Sequence, residues 1–574
     1  MGKVSLNSLK LKVEKLKIDE KFLNLISKDL AIKDKNILEK YSFKIDKDSN
    51  NLEYLEKETK KYQNENIDTN IKNKNLEVKR AEEFESKNEI LDTKLPVIRK
   101  KVLLVSSEVQ PFCATGGLAD VCGSLPKAIR KKCPEIDIRV ILPLYSSISK
   151  EVRDELKFIG FHYTTLAWRR EYCGVFKLVK DNITFYFLDN ERYFKRDYGL
   201  YGYYDDAERF AFFSKSVLEI LPLINFFPDI IHTNDWETAL VPVYLKTAYF
   251  DDRYKGIRTV LTIHNIEYQG RFGQEVLVDV LGIDKRFKNL LTYDNDINIL
   301  KAGIVCTDKL TTVSPSYAQE IKTPEYGSGL HAIINENSYK LLGIINGIDY
   351  DFYNPETDNI IYKSYGICDI VNKKKNKQSL QREFNLEINS EVPIVAFCSR
   401  MNKLKGFDLI KNCIERIICE TDIQFVGVGC GDREYEDFFR YLNFKYKGRV
   451  HISLGFSLEI GRKIYSGADI YIMPSLAEPC GLSQIIASRY GVVPIVRETG
   501  GLKDTIRDFG SLGGGNGYTF KNACVNDFEY SVKRAVTDYK DKFGWAEKMS
   551  RIMSLDFSWN NAADKYIEMY FGLG

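Results

Sequence analysis

From Lys101 onward, short runs of aliphatic and β-branched residues alternate with helical patterns, and no other feature limits the fold as strongly. The runs are VLLVSS, IRVILP, ITFYFLD, DIIHTN, TVLTIHN and KLTTVS. Alternation of this kind predicts a parallel sheet wrapped by helices, an α/β architecture. The pattern halts at GIINGIDYDFYNPETD, residues 343–358, whose turn-forming composition suits a hinge. It then restarts with IVAFCSR, IQFVGVG, VHISLG, DIYIMPS and VVPIVRE. Two Rossmann-like, doubly wound domains in tandem are expected, facing across a cleft, with any ligand at the carboxyl ends of both sheets.

Residues 1–98 fall outside this pattern. Lys, Glu, Asn and Asp dominate, glycine is absent after Gly2 and aromatic residues are sparse, which predicts a partly helical or disordered extension. A solvated spacer is the plain expectation for it, and a coiled-coil docking arm is the alternative. A net charge of +3 over 574 residues does not call for a nucleic-acid backbone or an anionic membrane as partner. No segment has the apolar length of a membrane span. The N-terminus lacks the apolar core of a secretory signal, and its acidic residues argue against an organelle-targeting peptide. Twelve scattered cysteines without a CxxC read as reduced, buried small hydrophobes, so a cytoplasmic location is expected.

Chemistry is concentrated at strand ends. In PFCATGGLADVCGSLPKAI, Gly116 and Gly117 stand between an apolar strand and a helix, where exposed N–H groups and the helix dipole favour an anion. Gly500 and Gly501 repeat the arrangement in GVVPIVRETGGLKDT, which suggests two facing phosphate-recognising halves, although either pair alone would more simply serve tight packing. Arg400 and Lys405, in SRMNKLKGFDLI, suit a diphosphate clamp or else a solvated basic loop. Glu478, in MPSLAEPCGLSQ, either complements a helix dipole or accepts hydrogen bonds from sugar hydroxyls, with the N–H groups beside Gly481 facing phosphate. GVGCGDREYE, which contains Gly429, is a loose match to a dinucleotide loop. His232 and Asp235, in HTNDWETAL, and His264, in TIHNIEYQGRF, stand at the ends of expected strands and point toward a site. The DxD pair Asp294 and Asp296 reads as a helix cap rather than a metal site. GxSxG, HExxH and GxxxxGK[ST] are all missing, which removes support for a serine hydrolase, a zinc protease and a P-loop NTPase.

With these motifs assembled, the chain resembles bacterial glycogen synthases and plant starch synthases, retaining glycosyltransferases of the GT-B fold. TTVSPSYAQEI, TPEYGSGL, GIINGIDYDFYNP, EPCGLSQ, RETGGLKDT and the closing DFSW carry the resemblance, which runs from about Lys101 to the end. It implies a first catalytic domain at 99–345 on the acceptor side, a nucleotide-sugar domain at 346–555 and a C-terminal helix at 556–574 returning toward the first domain, and only the extension at 1–98 falls outside it. The implied reaction moves glucose from ADP-glucose to the non-reducing 4-hydroxyl of an α-1,4-glucan, with the α configuration retained. Arg400 and Lys405 would neutralise the leaving diphosphate, Glu478 would hold glucosyl hydroxyls, His264 would sit near the anomeric carbon and Asp235 would line the acceptor side. Asn346 and Thr499, Gly500 and Gly501 would complete the donor pocket, with Tyr465 by the base. Thr115, Gly116, Gly117, Gly429, Cys480, Gly481 and Leu482 fill out the implied substrate-binding set. No metal and no cofactor beyond the nucleotide-sugar substrate is implied; nucleic acid and membrane are not expected as partners.

The chain departs from the family pattern in places: the lysine of its Lys-x-Gly-Gly-Leu loop is Ala114 here, and Leu404 and Leu476 replace polar residues often seen beside the Lys-Gly and Glu-Pro-Cys-Gly motifs. Losing one charge-assisted hydrogen bond costs about 1.5–3 kcal/mol, or about one to two decades in binding or rate. The Ala114 departure leaves a preference for ADP-glucose or UDP-glucose open. It also admits an inactive glucan-binding regulatory paralogue. A sugar-nucleotide epimerase and a sucrose-type transferase are further alternatives within the same fold, and a nicotinamide dehydrogenase is disfavoured for want of a clean GxGxxG.

Overall fold

A computed structural model describes residues 99–573. The extension expected over residues 1–98 lies outside the described residues. The first lobe is built on a nine-stranded sheet. Its strands are β1 (Lys100–Val105), β2 (Ile136–Pro143), β3 (Lys157–Leu166), β4 (Arg169–Lys180), β5 (Ile183–Asp189), β6 (Ile230–Asn234), β7 (Arg258–Ile263), β8 (Lys309–Thr312) and β9 (Leu341–Gly343). They lie side by side in the order β9-β8-β7-β6-β1-β2-β5-β4-β3. The order reverses between β1 and β6, so the loops leaving these two strands open onto one crevice. Strand β1 is buried along almost its whole length, which is why it reads as a continuous apolar run.

Strands β3 and β4 depart from the expected parallel sheet: they form an antiparallel hairpin that pairs with β5. Its outer face carries the exposed rings of Phe161, Tyr163 and Tyr172, and its turn places Ala167 at φ 54°. Aromatic rings stand outward here while the polar Thr164 is buried, so hydrophobicity does not follow burial along these strands as it does in the central ones.

The second lobe holds β10 (Ile394–Cys398), β11 (Gln424–Gly429), β12 (Val450–Leu454), β13 (Ile470–Met473), β14 (Val493–Arg497) and β15 (Tyr518–Phe520). All six are parallel, in the order β12-β11-β10-β13-β14-β15, the Rossmann arrangement. Here the reversal falls between β10 and β13. No described helix is long and apolar enough to cross a membrane. The twelve cysteines are all free, but only half of them are buried; Cys368, Cys419 and Cys430 are exposed.

The chain passes between the lobes along two adjacent segments. The Ile348 N–H donates to the Phe557 carbonyl at 2.9 Å, and Ile348 bridges Ser558 in parallel. Beyond this crossing the Trp559–Gly572 helix lies against the Gly117–Lys132 helix, and Trp559, Ala563, Tyr566 and Tyr570 enter the first lobe's core.

His232 belongs to this core and not to a site, which corrects the reading of it as a site histidine. Its Nδ1 meets the Tyr570 hydroxyl at 2.7 Å and its Nε2 meets Thr262 Oγ1 at 2.6 Å. Burial, with His264 nearby, pushes its pKa down to about 3, so the ring stays neutral. A folded pKa below the unfolded value means stability that is complete above pH ~6.5 and lost as pH falls toward the folded value. His232→Gln abolishes that titration. Urea unfolding at pH 7 and pH 5.5 is therefore expected to show the wild type's advantage over the variant shrinking by about 1 kcal/mol; a constant gap contradicts the assignment.

Candidate active site

In the second lobe the reversal of strand order brings together the loop after β10, which carries Arg400 and Lys405, and the loop after β13, which carries Glu478. The two loops are fastened to each other. The Leu476 N–H donates to the Leu404 carbonyl at 2.7 Å. Gly406, at φ 76°, lets the chain pass so close that an added Cβ would stand 2.0 Å from the Pro474 carbonyl oxygen. Gly406→Ala is expected to lower stability by about 1–3 kcal/mol through backbone strain and that collision, read as a shifted urea midpoint; an unmoved midpoint would show that the loops yield freely.

Within this frame Lys405 Nζ donates to Glu478 Oε2 at 2.6 Å, and Ser475 Oγ donates to the same oxygen at 3.0 Å. The Glu478 side chain is only 7% exposed, so the pair is shielded on the carboxylate side. The sequence assigned these two residues separate tasks; the structure joins them. Arg400 lies five residues earlier on the Lys405 loop, exposed, and its guanidinium has no hydrogen-bond or ion-pair partner among the described residues. Gly429, at the end of β11, packs against the Ser399 carbonyl and so lies under the Arg400 loop. Tyr465 is buried in the lobe's core, its ring 5.5 Å from that of Tyr471 and 6.1 Å from that of Tyr490.

The first lobe supplies the opposite wall. Asp235 follows β6 with φ 53°, and its Oδ1 accepts the His264 N–H at 2.7 Å. Asn234 Nδ2 donates to the Val105 carbonyl at 3.0 Å, which turns its Oδ1 toward His264 Nε2 at 2.9 Å. An acceptor in that place puts the imidazole proton on Nε2 and leaves Nδ1 with a lone pair. Burial pushes the His264 pKa down to about 3 and keeps the ring neutral. Burial also lifts the Asp235 carboxyl to about 7, against the opposing N–H donors of His264 and Asn265.

After β1, the Glu108 carboxylate accepts the Thr115 N–H, the Thr115 hydroxyl at 3.0 Å and the Tyr201 hydroxyl at 3.2 Å, and it also faces the Gly116 N–H. Thr115 is thus committed to shaping the loop. Gly116 opens the Gly117–Lys132 helix with no side chain against it, and Gly117 faces Leu482 of the other lobe, where an added Cβ would lie 3.6 Å from Leu482 Cδ1. Gly481, at φ 73°, turns the chain into Leu482 and the Ser483–Arg489 helix.

The lobes are closed on each other. Ser314 Oγ donates to the Pro479 carbonyl at 2.6 Å, and the Ser316 N–H and hydroxyl each donate to Asp504 at 2.7 Å. Glu320 accepts the Thr499 hydroxyl at 3.0 Å and the Gly500 N–H at 2.8 Å. The Gly501 N–H points to the carbonyls of Glu478 and Pro479. The second Gly-Gly turn is therefore an interlobe contact rather than an open phosphate cradle: a carboxylate of the first lobe already occupies it. Cys480 is buried against the first lobe's core, its thiol receiving the Asn346 N–H, while the Asn346 Oδ1 is buried without a partner.

The Asp294 and Asp296 pair flanks a short hairpin turn and binds Arg271 at 3.4 and 3.0 Å. The cap on the following helix is Asn298, whose side chain accepts the Lys301 N–H at 2.9 Å, so the capping role falls to a different residue than expected. Among the described residues no group of three or more His, Cys, Asp or Glu side chains is arranged to hold a metal. Glu108, Asn234 and Glu320 escaped sequence reasoning; each works through a contact set by loop placement, and no local pattern marks it.

Two Rossmann-like lobes in direct contact, with the Lys405–Glu478 pair on one and Asp235 and His264 on the other, define a GT-B glycosyltransferase. Residues 101–336 match the model of the starch synthase catalytic domain, and residues 378–551 match that of glycosyl transferases group 1. The glycogen synthase of Clostridium botulinum strain Alaska E43 is 44% identical over 475 residues, 82% of this chain and 98% of that protein. The glycogen synthase of Anoxybacillus flavithermus is likewise 44% identical, over 82% of this chain and 97% of its own length. The catalytic domain of starch synthase IV from Arabidopsis thaliana, solved with ADP and acarbose, superposes with a TM-score of 0.77 at 32% identity, covering 83% of this chain and 99% of that one. The chain belongs to the glycogen synthase family.

Proposed function

We propose that the protein transfers glucose from ADP-glucose to the non-reducing 4-hydroxyl of an α-1,4-glucan with retention of configuration, as a cytoplasmic enzyme. One observation carries the reading: the Lys405–Glu478 pair, 2.6 Å apart, sits at the strand-order reversal of one lobe, where the Lys405 loop also carries the unpartnered Arg400, and Asp235 and His264 stand on the other lobe. Arg400 and Lys405 supply positive charge where a diphosphate departs, which lowers the barrier to breaking the glycosidic bond. Glu478 and the free Nδ1 of neutral His264 accept hydrogen bonds from sugar hydroxyls. Asp235 faces the acceptor, and closure of the lobes excludes water from a cation-like sugar. Same-face attack assisted by the leaving phosphate accounts for retention, and no metal is invoked. The ADP bound to the Arabidopsis structure supports the choice of nucleotide.

The test is radiolabelled glucose transfer to glycogen from ADP-glucose and from UDP-glucose. Incorporation chiefly from ADP-glucose is expected. Incorporation chiefly from UDP-glucose overturns the donor assignment, and none from either overturns the activity. Ala114 is exposed on the first-lobe loop, so Ala114→Lys in the same assay shows whether that position influences donor choice.

A further inference from the structure

Arg497 ends β14 and is 8% exposed, yet it has no carboxylate partner among the described residues. Its guanidinium is taken up by neutral oxygens. Nε donates to the Ser475 carbonyl at 2.9 Å, Nη2 to the Leu476 carbonyl, and Nη1 to the Lys521 carbonyl at 3.4 Å. Nη2 also reaches the hydroxyl of Tyr326, a first-lobe residue, at 3.3 Å. A buried cation without a counter-charge is a poor means of stabilising a core, because an apolar side chain of similar size avoids the desolvation cost. What the guanidinium does supply is a rigid fork that fixes several acceptors at once.

The acceptors it fixes lead directly to the site. Ser475, whose carbonyl it holds, donates its hydroxyl to Glu478 Oε2 at 3.0 Å. Leu476, held in the same way, donates its N–H to Leu404, the residue before Lys405, at 2.7 Å. The fork therefore grips the one stretch of chain from which the placement of both Glu478 and Lys405 follows. Its fourth contact crosses to the other lobe. Two residues further on, Thr499 begins the Glu320 contact, so the end of β14 is attached to the first lobe at two points.

We propose that Arg497 is a positioning residue that couples the approach of the first lobe, sensed through Tyr326, to the placement of Glu478 and Lys405. The proposal rests on the reading of those two residues as substrate-binding groups. Arg497→Met is expected to lower kcat for glucose transfer by about 30-fold or more and, because Lys405 is displaced from the diphosphate, to weaken the Kd for ADP measured by calorimetry. Arg497→Lys restores part of kcat. Tyr326→Phe, which removes only the cross-lobe hydrogen bond, lowers kcat by about three- to tenfold without moving the thermal midpoint. An unchanged kcat in Tyr326→Phe overturns the coupling, and this variant decides if Arg497→Met does not fold.

A second readout separates this inference from the activity itself. In a crystal structure of Arg497→Met the Lys405–Glu478 contact is expected to open from 2.6 Å to beyond the ion-pair limit of about 4 Å. A retained contact overturns the positioning role, whether or not the wild type transfers glucose.

Discussion

Glu478→Ala is expected to lower kcat/KM for glucose transfer by about 10- to 100-fold, the cost of losing a charge-assisted hydrogen bond to substrate, about 1.5–3 kcal/mol. The carboxylate receives Lys405 at 2.6 Å and Ser475 at 3.0 Å on one oxygen. Its removal therefore takes away a candidate acceptor for sugar hydroxyls and also frees Lys405 to change position. Glu478→Gln separates the two effects. It preserves shape and still accepts from Ser475, so any loss it shows comes from the missing charge. Activity of Glu478→Ala within about threefold of wild type would remove this residue from the mechanism.

Arg400→Ala is expected to behave differently. Arg400 is exposed and has no partner among the described residues, so nothing in the fold depends on its guanidinium. Stability is expected to stay within about 0.5 kcal/mol of wild type, as for other surface substitutions. Turnover with a nucleotide sugar is expected to fall about 100-fold, because a fixed cation facing the departing diphosphate acts mainly on the transition state. Thermal unfolding and steady-state kinetics on the same sample check both halves. Loss of activity in proportion to loss of folded protein would contradict the assignment.

The two variants differ for a reason that the sequence shows only in part. Both residues follow apolar runs, IVAFCSR and DIYIMPS, that are legible because parallel strands covered on both faces contain no alternating polar residues. Their closeness in space follows from the strand order, in which β10 and β13 are neighbours although 71 residues lie between Cys398 and Ile470. Sequence motifs name the residues; the reversal of strand order makes them a site. The β3–β4 hairpin was not legible because aromatic rings stand on its exposed face while the polar Thr164 is buried, so its hydrophobic pattern does not report its burial.

Contacts between distant loops were the least legible part. Glu320 meets Gly500 across 180 residues and His232 meets Tyr570 across 338. In both cases a motif was recognised correctly and its job was not. The Thr499–Gly501 turn has the sequence of an anion site, and an anion does occupy it, but that anion is a side chain of the other lobe. His232 stands at a strand end as a site histidine would, one strand away from His264. The C-terminal helix covers it, and that helix lies too far along the chain for any local pattern to indicate it.

The most direct test of the central claim is a crystal structure of the protein with ADP and a maltooligosaccharide. The diphosphate is expected within hydrogen-bond distance of Arg400 and Lys405, with the oligosaccharide's non-reducing end against Asp235 and His264. A diphosphate bound away from both cations, with Arg400 and Lys405 turned out of the cleft, would contradict the account.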